Sequence, residues 1–212
     1  MKRVSFLLLF LCFNDTFSQP DPCACQPDVG KIHPYRLDAK WETNGTTFPR
    51  SKKTITPSTL FSWEKKYSKS ANGSIVAWNT ARLTKTPEES IYTMNGWLWF
   101  VKAEVDCDFH IQIGKKSRAA HRRAVVEVTI KQCQLQNLIL DSLFAQGFTM
   151  SQIKKGAELK HSLPVTLEGM GFYDWQHQLK KPSANTPAHS PLWKQQGTAW
   201  ELHPVITVKF TN

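Results

Sequence analysis

Past residue 20 the 212-residue chain has no apolar run approaching the length a helix needs to cross a bilayer. It lacks a phosphate-cradling glycine loop, a His-Glu-x-x-His pair and a Gly-x-Ser-x-Gly turn. The familiar short signatures of nucleotide hydrolases, zinc proteases and serine hydrolases therefore give no lead. Internal repeats and low-complexity tracts are also missing, which leaves one domain of ordinary size with an appendage. Acidic residues are scarce: 17 Asp and Glu stand against 27 Lys and Arg, for a formal charge of +10. A basic exported chain meets anionic headgroups, envelope polysaccharide and extracellular nucleic acid. Net charge alone, however, singles out no site.

What is present begins at the N-terminus. Met1-Lys2-Arg3 is a short basic stretch, residues 6–13 are an apolar core, and Ser18-Gln19 offers a small residue before a cleavage point. The pattern predicts a signal peptide over 1–18 and export to the periplasm or beyond the cell. Cys12 follows Phe10-Leu11 rather than small residues, which argues against a lipoprotein. Cleavage near Gln19 leaves Cys23, Cys25, Cys107 and Cys133, an even set that predicts two disulfides in an oxidising compartment. Cys107–Cys133 is the expected bridge, because one marks a strand start and the other a strand end within the folded part. Cys23 and Cys25 are too close to join without strain, which leaves them reduced, strained or paired between chains. A Cys-x-Cys metal site has little support, since no partner pair stands at zinc-ligand spacing.

Residues 19–86 show little periodicity and are rich in Thr, Ser, Lys, Pro and Asn, with turn signals at Asn44-Gly45 and Asn72-Gly73. Within them 57–67 (PSTLFSWEKKY) predicts a short helix with Leu60, Phe61 and Trp63 on its apolar side. The region reads as an irregular N-terminal arm packed on the main domain. From residue 87 the texture changes. Strands are expected over 88–104, 109–114, 123–130, 164–174 and 200–210, and a helix over 135–146, stopped by Gly147. Gly96 predicts a bend or bulge in the first strand, and Gly169 and Gly171 permit sharp curvature in the fourth. Three strands, a helix and two strands predict a mainly β fold over 87–212: a five-stranded OB-like barrel with one α-helix. The alternative is a small α+β sheet with one helix across it.

Strand parity then sorts the chemistry. Phe109, Ile111 and Ile113 share one face, and Asp108, His110 and Gln112 the other. Ala124, Val126, Val128 and Ile130 oppose Val125, Glu127 and Thr129. Trp200, Leu202, Ile206 and Val208 oppose Glu201, His203 and Thr207. With the apolar faces inward, Asp108, His110, Glu127, Glu201 and His203 fall on the outer side of their strands. Asp174 and His177 join them at the mouth of a long loop over 178–198. Three readings follow. The plainest is a solvated face with cross-strand ion pairs such as His110 with Glu127. The second is a divalent metal site built from Asp108, His110, Glu127, Asp174, His177, Glu201 and His203, whose residue types suit zinc or another transition metal. Carboxylates beside imidazoles also suit acid–base work. The third is binding of an anionic polymer such as single-stranded nucleic acid. Lys115, Lys116, Arg118, Arg122 and Arg123 cluster around one turn, and Trp175 and Trp193 are available for stacking.

Three motifs carry a resemblance: Asp106-Cys107-Asp108-Phe109-His110, the run Gly169-Met170-Gly171-Phe172-Tyr173-Asp174 with His177 after it, and Glu201-Leu202-His203-Pro204. From residue 86 onward the chain resembles a set of uncharacterised exported bacterial proteins. Their shared motifs read Asp-x-Asp-x-His, Gly-x-Gly-Phe-(Phe/Tyr)-Asp-x-x-His and Glu-Leu-His-Pro. The resemblance implies that Asp106, Asp108, His110, Asp174, His177, Glu201 and His203 belong together, and it implies no particular reaction. A looser similarity, in strand order alone, is to the staphylococcal-type nuclease barrel, without that family's arginine–carboxylate pattern. The function expected is that of an exported binding protein for an anionic polymer. The alternatives are a metal-dependent hydrolase of phosphodiesters and an envelope protein-interaction module.

Overall fold

Where β-branched and aromatic residues alternate with anything else, the chain buries one side of a strand; where both sides are covered, it closes on itself. In the computed structural model, which describes residues 22–27, 52–75, 85–116, 122–174 and 196–211, the second case holds. The strands are β1 (Lys52–Ile55), β2 (Ile91–Ala103), β3 (Phe109–Gly114), β4 (Arg123–Val128), β5 (Ala157–Tyr173) and β6 (Gln196–Phe210). Their order is β1-β2-β3-β4-β6-β5, and β5 returns to pair with β2. Strands β2 to β6 thus form a closed five-stranded barrel, and β1 adds in parallel to β2. Pairings within the barrel are antiparallel except β4 with β6. The mainly β, OB-like barrel expected from the sequence is what forms.

Among the described residues three α-helices accompany it: α1 (Pro57–Ile75), α2 (Cys133–Phe144) and α3 (Met150–Lys155). Pro57 opens α1, where its missing N–H costs nothing. Leu60 and Trp63 recur at helical spacing and are buried. Trp63 meets Tyr92 at 4.7 Å between ring centroids and Trp200 at 5.8 Å, which docks α1 on the barrel. Glu64 reinforces the dock by accepting from the Ala199 N–H at 3.0 Å. The helix is longer than its apolar side alone predicts, running through Asn72-Gly73 to Ile75. Asn44-Gly45 lies outside the described residues. Helix α2 ends as expected, with Gly147 at φ +83° in the left-handed region. The short α3 is extra; a capping box between Thr149 and Gln152 starts it.

The core side of the barrel holds Phe109, Ile111, Ile113, Ala124, Val126, Val128, Trp200 and Leu202, as parity requires. Beyond Leu202 the parity of β6 changes. Register shifts opposite Glu168, Gly169 and Gly171 bring Val205 rather than Ile206 into the core, which corrects the expectation for Ile206. A larger correction concerns the opposite face. Every residue of β3 and β4 is buried, so the outer side of these strands is not a solvated surface.

The cysteine pairing also differs. Two disulfides form, but they join Cys23 to Cys133 and Cys25 to Cys107, not Cys107 to Cys133. The Pro22–Ala24 3-10 turn presents two thiols, Cys23 within it and Cys25 just after it, to two places at once: the start of α2 and the β2–β3 turn. Short separation, which forbids Cys23 from bonding Cys25, is what lets one turn make both staples. No helix among the described residues is long and apolar enough to cross a membrane.

Candidate functional site

The outer face of β3, β4 and β6 is built by register. His110 on β3 lies directly opposite Glu127 on β4. Parallel pairing of β4 with β6 sets Val125 beside Glu201. His203 follows two residues on, on the same side of β6. Asp108 enters from the β2–β3 turn, where Cys107 adopts a left-handed φ of +69°. The turn is closed by the Glu104 N–H donating to the Asp108 carbonyl at 2.9 Å. Gln136 of α2 clamps it from behind, its Nε2 donating to the carbonyls of both Cys107 and Val128 at 2.8 Å.

These side chains converge. The imidazole Nδ1 of His203 lies 2.8 Å from Glu201 Oε1 and 3.0 Å from Glu127 Oε2. The other Glu127 oxygen, Oε1, is 3.2 Å from His110 Nδ1. Asp108 divides its two oxygens. Oδ1 accepts the Ile130 N–H at 3.0 Å, while Oδ2 sits 3.6 Å from His203 Nε2, too far for a hydrogen bond. Oδ2 makes no hydrogen bond at all. Asp108, Glu127 and His203 each offer one ligand atom to a group whose members all lie within 4.8 Å of one another. None of the cluster is exposed: His203 is 0%, Asp108 and Glu201 1%, His110 6% and Glu127 7% accessible.

Burial of so many titratable groups shifts their proton affinities. For His203 burial alone disfavours the imidazolium. The charge of Glu127, with the contacts to Asp108, Glu127 and Glu201, outweighs it and holds the ring well above its ordinary range. His110 is likewise raised: burial pulls down, but its hydrogen bond to Glu127 and that carboxylate's charge win. Burial pushes the Glu201 carboxyl up, the Glu127 charge adds to this, and the His203 hydrogen bond opposes. The cluster without metal therefore keeps protons that isolated side chains would lose. A buried group of this kind is satisfied either by such protons or by a cation.

Of the expected metal ligands, the structure brings Asp108, His110, Glu127, Glu201 and His203 together. Asp174 is buried just past the end of β5, near enough for its charge to raise Glu201. His177 lies outside the described residues, as do Arg118, Trp175 and Trp193. The expected basic cluster is only partly available. Lys115, Lys116 and Arg122 are exposed. Arg123 is not: it is 5% accessible, makes two hydrogen bonds of 2.9 and 2.7 Å to Glu158, and lies 5.3 Å from the Trp99 ring. Its fork is used inside the fold, which removes it from any polyanion surface.

Two further residues belong to the site. Gln112, beside Val125 and two residues along β3 from His110, is fully buried, and neither polar atom of its carboxamide has a hydrogen-bond partner. Phe172 packs its ring 5.3 Å from that of His203. The alternation of β3 already put Gln112 on the site's face, but an amide there passes for an ordinary solvated residue. No family model, curated protein or solved structure matches the chain.

Proposed function

We propose that this chain is an exported, divalent-metal-dependent hydrolase whose substrate is an anionic phosphodiester such as single-stranded nucleic acid. The observation that carries the reading is the convergence of Asp108, Glu127 and His203 ligand atoms within 4.8 Å of one another on a buried face. The donor set fits a metal: two carboxylates and an imidazole suit zinc or manganese, and three protein ligands leave positions open for water and substrate, as in catalytic sites. Asp108 Oδ2, buried and without a hydrogen bond, is a donor atom that a cation could take without breaking one. A divalent ion held by these residues would supply a coordinated water of lowered pKa and a Lewis acid for a phosphoryl oxygen.

The chain's own residues supply the remainder. Glu201 keeps a hydrogen bond on His203 Nδ1 and fixes the ring's orientation. The Asp108 Oδ1 bond to the Ile130 N–H aims the other oxygen at the cluster. Exposed Lys115, Lys116 and Arg122, on a chain of formal charge +10, favour the approach of an anionic substrate. The two disulfides are consistent with export.

The test is cleavage of bis(p-nitrophenyl) phosphate and of single-stranded DNA by chain stripped with chelator and reloaded with Mn²⁺ or Zn²⁺. Activity is expected only after reloading. His203→Ala should lower both metal affinity and turnover by at least about 10-fold while the near-UV spectrum stays native. A stripped chain that takes up no metal, with its fold intact, ends the reading. Binding without hydrolysis is the second reading, favoured by the exposed lysines alone. It predicts DNA affinity that falls steeply with added salt in metal-free protein.

A further inference from the structure

We propose that the centre is dinuclear, with Glu127 as the bridging carboxylate and His110 and His203 as terminal ligands of two separate ions. The inference rests on reading the cluster as a metal centre, and it goes further than the three-residue group described above. Its basis is how Glu127 spends its two oxygens. Oε2 faces His203 Nδ1 at 3.0 Å, and Oε1 faces His110 Nδ1 at 3.2 Å. One carboxylate set between two imidazoles, one on each oxygen, is the arrangement by which a carboxylate spans two ions about 3.5–4 Å apart. A mononuclear site built from Asp108, Glu127 and His203 leaves the second Glu127 oxygen and the His110 nitrogen beside it with no role in coordination.

Asp108 supplies a donor at the first of the two positions: its buried Oδ2 lies 3.6 Å from His203 Nε2 and makes no hydrogen bond. The first ion draws on Asp108, His203 and Glu127, and the second on His110 and the other oxygen of Glu127. Glu201 keeps its hydrogen bond on His203 Nδ1 at 2.8 Å, which leaves Nε2, the nitrogen beside Asp108 Oδ2, to the first ion. Charge agrees with this division. With neutral imidazoles, the buried carboxylates of Asp108, Glu127, Asp174 and Glu201 carry four negative charges. One divalent ion leaves two of them uncompensated. Two ions bring the sum to zero, and an uncompensated buried charge is costly. Paired ions that clamp the attacking and leaving oxygens are also suited to phosphodiester substrates.

The experiment is a metal count on the full chain with both disulfides intact, stripped with chelator, reloaded with Mn²⁺ and desalted. The expected result is two ions per chain, with an electron paramagnetic resonance spectrum showing exchange coupling between them. His110→Ala should hold one ion per chain and lose the coupling; His110→Gln serves the same purpose if the alanine variant does not fold. One ion per wild-type chain overturns the dinuclear assignment and leaves the single-metal function standing. Two ions that persist uncoupled, or that survive in both His110 variants, overturn it as well. No ion bound at all removes the metal reading itself, and this proposal with it.

Discussion

Gln112 is a side chain in an expensive place. Its carboxamide is fully buried and both polar atoms lack hydrogen bonds, whereas such groups cost about 1–3 kcal/mol when left unsatisfied. Leucine has nearly the same volume and asks for no partner. Gln112→Leu is therefore expected to raise the free energy of unfolding in urea by about 1–2 kcal/mol. The same change should weaken turnover, because an idle amide beside the cluster is available to hold a substrate oxygen. A variant no more stable than the parent would mean that the amide is satisfied in solution. At this scale much was legible. A period of two places Asp108, His110, Glu127, Glu201 and His203 on one side of three strands whatever the barrel's details. What the period cannot tell is whether that side is wet, since its cover comes from residues distant in sequence. Arg123 shows the same limit: its partner Glu158 lies 35 positions away and leaves no local trace.

The long strands β2, β5 and β6 have 13, 17 and 15 residues, and strands of that length serve two parts of a barrel only by bending. In β5 the bend falls where the register to β6 slips, at Gly169 and Gly171. A Cβ on Gly171 would stand 2.5 Å from the Pro87 carbonyl oxygen and 2.8 Å from its carbonyl carbon, and backbone cannot swing aside as a side-chain tip can. Gly171→Ala is expected to cost about 1–3 kcal/mol in thermal or chemical unfolding. Because Phe172 and Asp174 follow directly, it should also disturb the site, which a lowered metal affinity would register. Full stability in the variant would mean that the 87–89 turn yields freely. Element identities were readable wherever local signals agreed: the helix over 135–146 with its Gly147 stop, the glycine-marked curvature of β5, and the apolar side of α1. Helix α3 announces itself in the sequence only through the capping box of Thr149-x-x-Gln152, because six residues offer too little periodicity to register. Strand β1 escaped because four residues that pair parallel on one edge carry almost no pattern.

At the scale of the whole molecule, the N-terminal turn at 22–24 holds the barrel through two bridges whose sequence separations are 110 and 82 residues. In chain-entropy terms a bridge that closes about 100 residues stabilises by about 4–5 kcal/mol. The two are not independent. Once Cys23 is joined to Cys133, the bond from Cys25 to Cys107 closes only the short circuit through 23–25 and 107–133, so it adds less. Serine at both cysteines of one bridge is therefore expected to cost about 3 kcal/mol, and serine at all four more than twice that, read from urea unfolding at fixed pH. The connectivity was invisible in the sequence. Four cysteines permit three pairings, and proximity of Cys107 to the barrel says nothing about which distant thiol the fold delivers to it. The bridges also differ in what they touch. Cys107 is the residue before Asp108, in the left-handed turn that carries this ligand, whereas Cys133 begins helix α2, three residues before Gln136. Losing Cys25–Cys107 frees the end of the turn that carries a ligand; losing Cys23–Cys133 leaves the turn clamped by Gln136 and by the surviving bridge. Cys25→Ser/Cys107→Ser should thus weaken Mn²⁺ binding more than Cys23→Ser/Cys133→Ser, at comparable loss of stability. Equal affinities in the two double variants, measured by calorimetry on folded protein, would show that the Ile130 bond, the Glu104–Asp108 turn bond and the Gln136 clamp suffice to hold Asp108, which then owes nothing to the staple behind it.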